Sequence, residues 1–118
     1  MIEKEWSFMN NIKNKKIVKG NVGIGTDRKN NPVFTGVLKY FPDAIMEVSR
    51  VSLQGNIQHH PDKPLHWDRN KSNDDFDALA RHLIDAGTID DDGIRHTAKV
   101  AWRALACLQK ELEKEKSI

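Results

Sequence analysis

The sequence predicts an all-α fold, a small helical bundle, and three observations lead to this prediction. Apolar residues recur at helical spacing in three separate segments. The alternating pattern of a half-buried strand persists nowhere along the chain. Each segment is also bounded by residues that start or stop helices, such as Pro42, Gly55 and Gly87. A length of 118 residues allows one domain with a real core, but not two.

Composition and charge exclude several classes of function. No apolar run approaches the roughly 18 residues of a membrane span and no signal-peptide pattern is present, so we expect a cytoplasmic protein with no membrane partner. A net charge of +2 gives no reason to expect a nucleic-acid partner. We interpret the single cysteine, Cys107, as a small buried residue and not as a nucleophile. Because only 38% of residues are apolar, a homo-oligomer is expected.

Two parts of the chain differ in organisation. Residues 1–35 show little periodicity and are predicted to form an irregular N-terminal arm, whereas residues 36–118 are predicted to form the helical domain. The segment GNVGIG in the arm superficially resembles a phosphate-binding loop. Its spacing matches neither the dinucleotide fingerprint nor the P-loop, so we interpret it as part of a flexible arm.

Three helices are predicted in the domain, over about 41–54, from about Ser72 to Gly87, and over about 94–114. Gly55 is the expected stop of the first helix, and Ser72 and Asp75 have the spacing of a capping box at the start of the second. The turn TIDDDG precedes the third helix. The expected apolar stripes are Ala44, Val48 and Val51; Phe76, Leu79, Ala80 and Leu83; and Ile94, Ala98, Ala101, Leu105, Leu108 and Leu112.

The first candidate site is acidic. Glu47 lies on the first helix, and Asp74 and Asp77 lie three residues apart at the start of the second. Carboxylates from neighbouring helices can converge, and such oxygen ligands suit Mg²⁺, which in turn binds substrate phosphates. The alternative is structural: Asp74 favours the helix N-terminus and Asp77 pairs with Arg81 one turn later.

The second candidate site is basic. His96, Lys99 and Arg103 share one strip of the third helix, where an arginine fork and a lysine charge can hold a polyphosphate. The alternative is a solvated helix face. Together with the acidic set, however, these residues are the groups that a nucleotide-phosphate hydrolase needs.

The connection QHHPDKPLHWDRNKS between the first two helices is the third candidate. Its histidines match no common zinc spacing, and no cysteine lies nearby. A loop that covers the substrate is the better interpretation, with Lys63 for a phosphate and Trp67 as a flat surface for a base. A rigid proline-rich turn, with Trp67 packed on the bundle, is the alternative.

Four pieces of the sequence occur in the order of a known family: YFPDAIMEVSRVSLQGN, HWDRNKS, DALARHL and DGIRHTAKVAWRAL. In these pieces, from about Gly36 to Glu113, the chain resembles the phage dATP/dGTP diphosphohydrolases, which are similar to MazG-type all-α nucleotide pyrophosphohydrolases. The resemblance implies hydrolysis of a purine deoxynucleoside triphosphate to the monophosphate and pyrophosphate, with Mg²⁺ or Mn²⁺ as the cofactor. Such an enzyme adjusts the nucleotide pool during phage growth.

The resemblance also suggests roles for individual residues. Glu47 matches an acidic position of the first core helix, Asp77, Arg81 and His82 match a D-A-x-x-R-H element, and His96 matches the histidine after the acidic turn. The expected set comprises metal ligands Glu47, Asp74 and Asp77, phosphate-binding Lys63, Arg81 and Lys99, base-stacking Trp67, and His82 or His96 to place or deprotonate the water. The chain departs from the MazG-type pattern in two places: Arg50, not a second glutamate, lies three residues after Glu47, and the second pair is Asp74-x-x-Asp77 instead of E-x-x-D.

Two other functions stay open on the sequence. Asp77 and His82 lie about 140° apart on a regular helix, so they are not expected to bind one ion. His82, Asp91 and His96 are instead an alternative transition-metal site, for a triphosphohydrolase that releases tripolyphosphate. A bundle that only binds a nucleotide, without hydrolysis, is favoured by the missing second glutamate.

Overall fold

The computed structural model describes residues 29–71 and 73–117 and confirms the all-α architecture. Helix α1 spans Pro42–His59, α2 spans Asp75–Ile84 and α3 spans His96–Lys116. Helix α3 packs against both α1 and α2, and most extensively against α2. A five-residue π-helical turn, Phe34–Leu38, precedes α1. None of the described helices has the length and apolar character needed to cross a membrane.

The interpretation of residues 1–35 as an irregular arm falls largely outside the described residues, which begin at residue 29. The GNVGIG segment, residues 20–25, also lies outside the described residues.

Helix α1 extends beyond the predicted stop at Gly55. Gly55 does not adopt a positive φ, and the helix continues through it to His59. The helix ends where Pro61 follows, because a residue before proline disfavours the helical conformation; His60 accordingly has φ −142° and ψ 59°. The buried Asn56 then holds the start of the loop by donating from Nδ2 to the carbonyl of Lys63 at 3.0 Å.

Two glycine substitutions test these backbone assignments. A Cβ at Gly55 would meet no atom within 4 Å, so Gly55→Ala is expected to raise the free energy of unfolding by about 0.5–1 kcal/mol. Gly87 has φ +91°, where an L side chain is strained, so Gly87→Ala is expected to lower it by about 1 kcal/mol. Urea unfolding followed by circular dichroism measures both changes. Destabilisation by both substitutions would contradict the helical assignment of Gly55.

Helix α2 starts three residues later than predicted, at Asp75. Asp74 is its N-cap and makes no side-chain cap hydrogen bond, and Ser72 of the predicted capping box lies outside the described residues. The carboxylate of Asp75 is directed to α3 instead of capping the helix, since it accepts from Arg103 and Lys110.

The face that α2 presents to the bundle also differs from the predicted one. Asp75 and Ala78 are buried and His82 is half-buried, whereas Phe76 and Leu83 are 66% and 56% exposed. Positions 75, 78 and 82 have i, i+3, i+7 spacing, so they too form one helical stripe. The helix therefore turns the stripe of Asp75, Ala78 and His82 inward and leaves most of the predicted apolar stripe exposed, with Leu79 half-buried.

The apolar seam of α3 divides in two. Ahead of the helix Ile94 is 2% exposed, and Ala98 in its first turn is 7% exposed, but Leu105 and Leu108 further along are 53% and 50% exposed. Cys107 is buried, as predicted for a small apolar residue, and burial raises the pKa of its thiol. The C-terminal half of the predicted seam thus has no covering element among the described residues.

The turn between α2 and α3 is a tight hairpin closed by a single bridge between Ile89 and Arg95. The Asp90 amide donates to the carbonyl of Ile94 at 2.9 Å, and Gly93 supplies the positive φ of +82° that the turn requires. Because Ile94 is bound in this hairpin, α3 begins at His96 and not at the predicted position 94. The hairpin brings Asp90 close to the first turn of α3.

Candidate functional site

A cleft of about 550 Å³ opens between α1, the following loop and the α2–α3 pair. This volume lies within the roughly 300–1,000 Å³ of small-molecule sites. Its walls carry polar residues of α1, rings from the loop and charged residues of α3. The lining side chains most relevant to chemistry are Ser52, Asn56, His60, Trp67, Lys71, Asp75, His82, Asp92, Lys99, Trp102, Arg103 and Lys110.

Helix α3 provides a cationic strip along the cleft. Lys99, Arg103 and Lys110 are spaced by four and then seven residues, which places them on one face of a regular helix. All three line the cleft, and Lys71 of the loop adds a fourth cation. Of the predicted basic strip, Lys99 and Arg103 therefore lie on a concave surface, whereas His96 is outside the cleft lining.

Asp75 holds the two distal cations of this strip. Its Oδ1 accepts from Arg103 Nη1 at 2.7 Å and its Oδ2 accepts from Lys110 Nζ at 2.6 Å. Burial alone would raise the pKa of Asp75, but the hydrogen bonds from Lys110 and Arg103 outweigh it and hold that pKa below its ordinary value. The carboxylate therefore stays ionised and fixes the two cations at the wall of the cleft.

Two tryptophans line the cleft beside these cations, with Lys110 Nζ 5.9 Å from the Trp67 ring centroid and the Arg103 guanidinium carbon 5.4 Å from that of Trp102. The Trp102 Nε1–H donates to Ser52 Oγ at 2.8 Å, which joins α3 to α1. Trp67 packs edge-to-face on Trp102, with ring centroids 5.9 Å apart. Arg69 lies over the Trp67 ring at 4.4 Å and pairs with Glu113 at 2.9 Å, so the loop is fastened to α3. Trp67 both packs on the bundle and lines the cleft.

A pair of histidines lies where α2 meets the start of α3. His82 Nδ1 and His96 Nδ1 face each other at 3.0 Å, and Asp90 Oδ2 is 3.8 Å from His96 Nδ1. Among the described residues, these three form the group of potential metal ligands whose donor atoms lie within 4.8 Å of one another. The sequence-based alternative named Asp91 as the carboxylate of this group, and the hairpin places Asp90 there instead.

Lys99 lies beside the histidine pair and is held by two carboxylates. Its Nζ donates to Asp90 Oδ2 and to Asp92 Oδ2, both at 2.7 Å. Burial would lower the pKa of Lys99, but its bonds to Asp90 and Asp92 raise it above the ordinary value. Lys99 is therefore a permanent cation of the cleft.

The same surroundings keep His82 neutral near pH 7. Burial lowers the pKa of its imidazole, and the positive charge of Lys99 and the neighbouring His96 lower it further. A neutral imidazole keeps a nitrogen lone pair, which can accept a proton or bind a metal ion.

The residues predicted for binding and catalysis separate into two groups. Trp67, Lys99 and His82 line the cleft, and His96 contacts His82 directly. Lys63 and Arg81 are exposed and lie outside the cleft lining. The expected phosphate-binding role therefore has geometric support only at Lys99.

The three carboxylates predicted to hold Mg²⁺ are not brought together. Glu47 Oε1 pairs with Arg50 at 2.9 Å, Asp74 Oδ2 accepts from Arg81 at 3.2 Å, and Asp77 is exposed on α2. None of the three lines the cleft, and they do not form a ligand group among the described residues. The donor atoms of this set do not fit a common ion.

Sequence reasoning missed Asp75, Asp90, Asp92 and Lys110 as site residues. One signal was available for Lys110, since it continues the strip of Lys99 and Arg103 at heptad spacing. No comparable pattern identifies the carboxylates, because their positions depend on the α2 rotation and on the hairpin.

The protein is an all-α domain whose cleft between the helices is lined by cations and aromatic rings, which are side chains suited to small anionic ligands. Residues 24–117 match the family model described as dATP/dGTP diphosphohydrolase, N-terminal. The match spans most of the chain, and the chain belongs to this family. The resemblance expected from the sequence motifs is thereby confirmed. Comparison with curated proteins and with solved structures found no match.

Proposed function

We propose that this protein hydrolyses dATP and dGTP to the monophosphate and pyrophosphate in the cleft beside α3. The family match supports the substrate and the bond that is cleaved. The observation that carries the proposal is the row of Lys99, Arg103 and Lys110 along a cleft of nucleotide size. Water adds to the α-phosphorus, the bond to the bridging oxygen breaks, and pyrophosphate leaves.

The cationic strip is suited to the triphosphate. Arg103 carries five N–H donors, and its ion pair to Asp75 is made through one nitrogen, Nη1. Lys110 and Lys99 add point charges along the same helix face. Because Asp75, Asp90 and Asp92 hold these cations before substrate binds, little reorganisation is needed when the phosphates arrive.

Trp67 is the residue we assign to the base, since its ring lines the cleft. Trp67→Ala is expected to raise the KM for dATP and dGTP about tenfold, because base–aromatic stacking contributes about 1–3 kcal/mol. Trp67→Phe, which keeps a flat ring, is the matched control and should stay close to wild type. Steady-state kinetics measure both variants, and thermal unfolding checks that the loop stays fastened to α3. An unchanged KM for Trp67→Ala would place the base elsewhere.

We assign the proton of the attacking water to His82, which lines the cleft, and to His96, which contacts it. The attacking water has to lose a proton during the reaction. A neutral imidazole can take up such a proton directly; alternatively, His82 and His96 would hold a metal ion, which would lower the pKa of a bound water. Both roles need an unprotonated ring, and the lowered pKa of His82 provides it.

The Mg²⁺ or Mn²⁺ implied by the family resemblance has no fitting ligand set in Glu47, Asp74 and Asp77. Each of the first two is engaged by an arginine, and the three do not converge. Their assignment as metal ligands stays a prediction.

A panel of deoxynucleoside triphosphates, incubated with Mg²⁺ or Mn²⁺ and analysed for products, tests the proposed function. We expect dATP and dGTP to give the monophosphate and pyrophosphate, with pyrimidine nucleotides hydrolysed more slowly. Release of tripolyphosphate would identify a triphosphohydrolase instead. Nucleotide binding without turnover of any substrate would identify a binding protein and contradict both enzymatic functions.

We also propose that the protein works as a homo-oligomer. The buried apolar residues of the described chain are few and mostly small: Ala78, Ile94, Ala98, Ala106 and Cys107. Large apolar side chains are exposed on every helix, among them Met46, Leu53 and Ile57 on α1, Phe76, Leu83 and Ile84 on α2, and Leu105 and Leu108 on α3. Such faces are typical of subunit contacts. Sedimentation analysis that found only a monomer at micromolar concentration would contradict this proposal.

A further inference from the structure

We propose that His82, Asp90 and His96 form a binding site for a divalent transition-metal ion such as Mn²⁺, in preference to Mg²⁺. The site lies at the junction of α2, the hairpin and the first turn of α3. Of its three residues, His82 lines the cleft. Its role in hydrolysis rests on the function proposed above. Its ability to bind an ion rests on the geometry of the three side chains alone.

The two imidazoles have the separation of adjacent ligands on one ion. Two nitrogens about 2.1 Å from an ion and at right angles around it lie about 3.0 Å apart. His82 Nδ1 and His96 Nδ1 are 3.0 Å apart. When both rings carry their proton on Nε2, both Nδ1 lone pairs face the same point. Asp90 Oδ2, 3.8 Å from His96 Nδ1, completes a two-histidine, one-carboxylate set after a small movement.

The ligand types favour a transition metal. Imidazole nitrogens suit Fe²⁺, Ni²⁺ and Zn²⁺, and Mn²⁺ is the most weakly bound of these transition ions. Mg²⁺ selects carboxylate, phosphate and water oxygens. The side chains of His96 and Asp90 are 12% and 27% exposed, so the site is partly shielded from solvent, and His82 lines the cleft. Three protein ligands leave coordination positions for water or a phosphate oxygen.

The surroundings already contain the supporting interactions of a metal site. The amide of Asp91 donates to Asp90 Oδ1 at 2.7 Å and so orients the carboxylate that would bind the ion. Lys99 shares Asp90 Oδ2, but it also has Asp92 Oδ2 at 2.7 Å. When an ion takes the Asp90 oxygen, Asp92 keeps the ammonium in place.

Titration of the full chain with Mn²⁺, followed by the electron paramagnetic resonance of the free ion, tests the site. We expect one ion per chain in the wild type, with little displacement by an equal concentration of Mg²⁺. His82→Gln, His96→Gln and Asp90→Asn should each weaken binding at least about tenfold. Nitrogen hyperfine coupling in the wild-type complex provides a second readout that needs no substitution.

Matched controls separate this site from the other candidates. Asp91→Asn changes the neighbouring exposed carboxylate, Glu47→Gln changes the acidic residue of α1, and His59→Gln removes an exposed imidazole. All three are expected to bind Mn²⁺ as the wild type does. No Mn²⁺ binding, no nitrogen coupling, or a loss confined to Glu47→Gln would overturn the proposal.

Lys99→Met tests the sharing of Asp90. Without the ammonium, no hydrogen bond from Lys99 competes with the ion for Asp90 Oδ2. Mn²⁺ should therefore bind at least as tightly as in the wild type. Weaker binding would overturn this arrangement.

The outcomes also distinguish the metal site from the proposed enzymatic function. Mn²⁺ bound at these three residues without dNTP hydrolysis supports the site and contradicts the function. Hydrolysis with Mg²⁺ and no Mn²⁺ binding contradicts the site and leaves the function intact.

Discussion

Arg103→Met is expected to lower kcat/KM for dATP and dGTP by about a hundredfold. The guanidinium lines the cleft and is oriented by Asp75 at 2.7 Å, so it is positioned to stabilise charge on the phosphates. Removal of one preorganised donor of this kind costs about 10²–10³ in rate. Methionine keeps the apolar stem of the side chain, which packs with Trp102, whose ring centroid lies 5.4 Å from the guanidinium carbon.

Arg81→Met is the matched control, and it also decides between two assignments. The sequence motif places Arg81 at the phosphates, but its side chain is 64% exposed, pairs with Asp74 and lies outside the cleft lining. We expect Arg81→Met to retain most of the wild-type kcat/KM, measured with the same substrates. A large loss at Arg81 with little loss at Arg103 would show that the substrate lies on the outer face of α2.

Asp75→Ala is expected to lower the free energy of unfolding by about 2 kcal/mol. The carboxylate is only 11% exposed and accepts from both Arg103 and Lys110, and hydrogen bonds to charged groups contribute about 1.5–3 kcal/mol. Its removal also leaves two cations close together at the cleft wall. Denaturant unfolding at pH 7 measures the change. Asp77→Ala, an exposed carboxylate of the same helix, is the control and should change stability by less than about 0.5 kcal/mol.

The effect of Asp75→Ala should depend on pH in a defined direction. The pKa of Asp75 is lower in the folded chain than its ordinary value of 3.8, so folding favours the ionised form. The resulting stability is fully present above the unfolded-state pKa and is lost as pH falls through the folded-state pKa. The difference between wild type and variant should therefore be constant near neutrality and shrink below about pH 4. A difference that grew on acidification would contradict the ion-pair assignment.

Those features of the fold that depend on local pattern were predictable. Helical spacing of apolar residues identified all three long helices, and Cys107 was expected to be buried. The predicted helix ends were wrong where a neighbouring residue or a tertiary contact had more influence than the local start or stop residue. Gly55 predicts a helix end, yet α1 continues to His59 and ends before Pro61. Ile94 was predicted to start the third helix, but it is hydrogen-bonded within the hairpin that precedes α3.

The site residues were likewise predictable where they lie within one helix and not where they depend on how two helices pack. The strip of Lys99 and Arg103 follows from helical periodicity within one element, and the structure keeps both on the cleft. The set of Glu47, Asp74 and Asp77 required knowledge of how α1 and α2 are rotated about their axes. Two stripes of α2 have helical spacing, and the apolar one was the natural choice for the core.

The sequence by itself determined the all-α class, the three helices, the cationic face of α3 and membership of the dATP/dGTP diphosphohydrolase family. These follow from periodicity and ordered motifs, which are properties of contiguous segments. Only the tertiary structure decided that α2 turns Asp75 and His82 inward. In that orientation Asp75 pairs with Arg103 and Lys110, which are 28 and 35 residues away along the chain and so beyond the reach of any local pattern. The same packing brought His82 to His96 and the hairpin carboxylate Asp90 beside them, a meeting of three segments that no local pattern encodes.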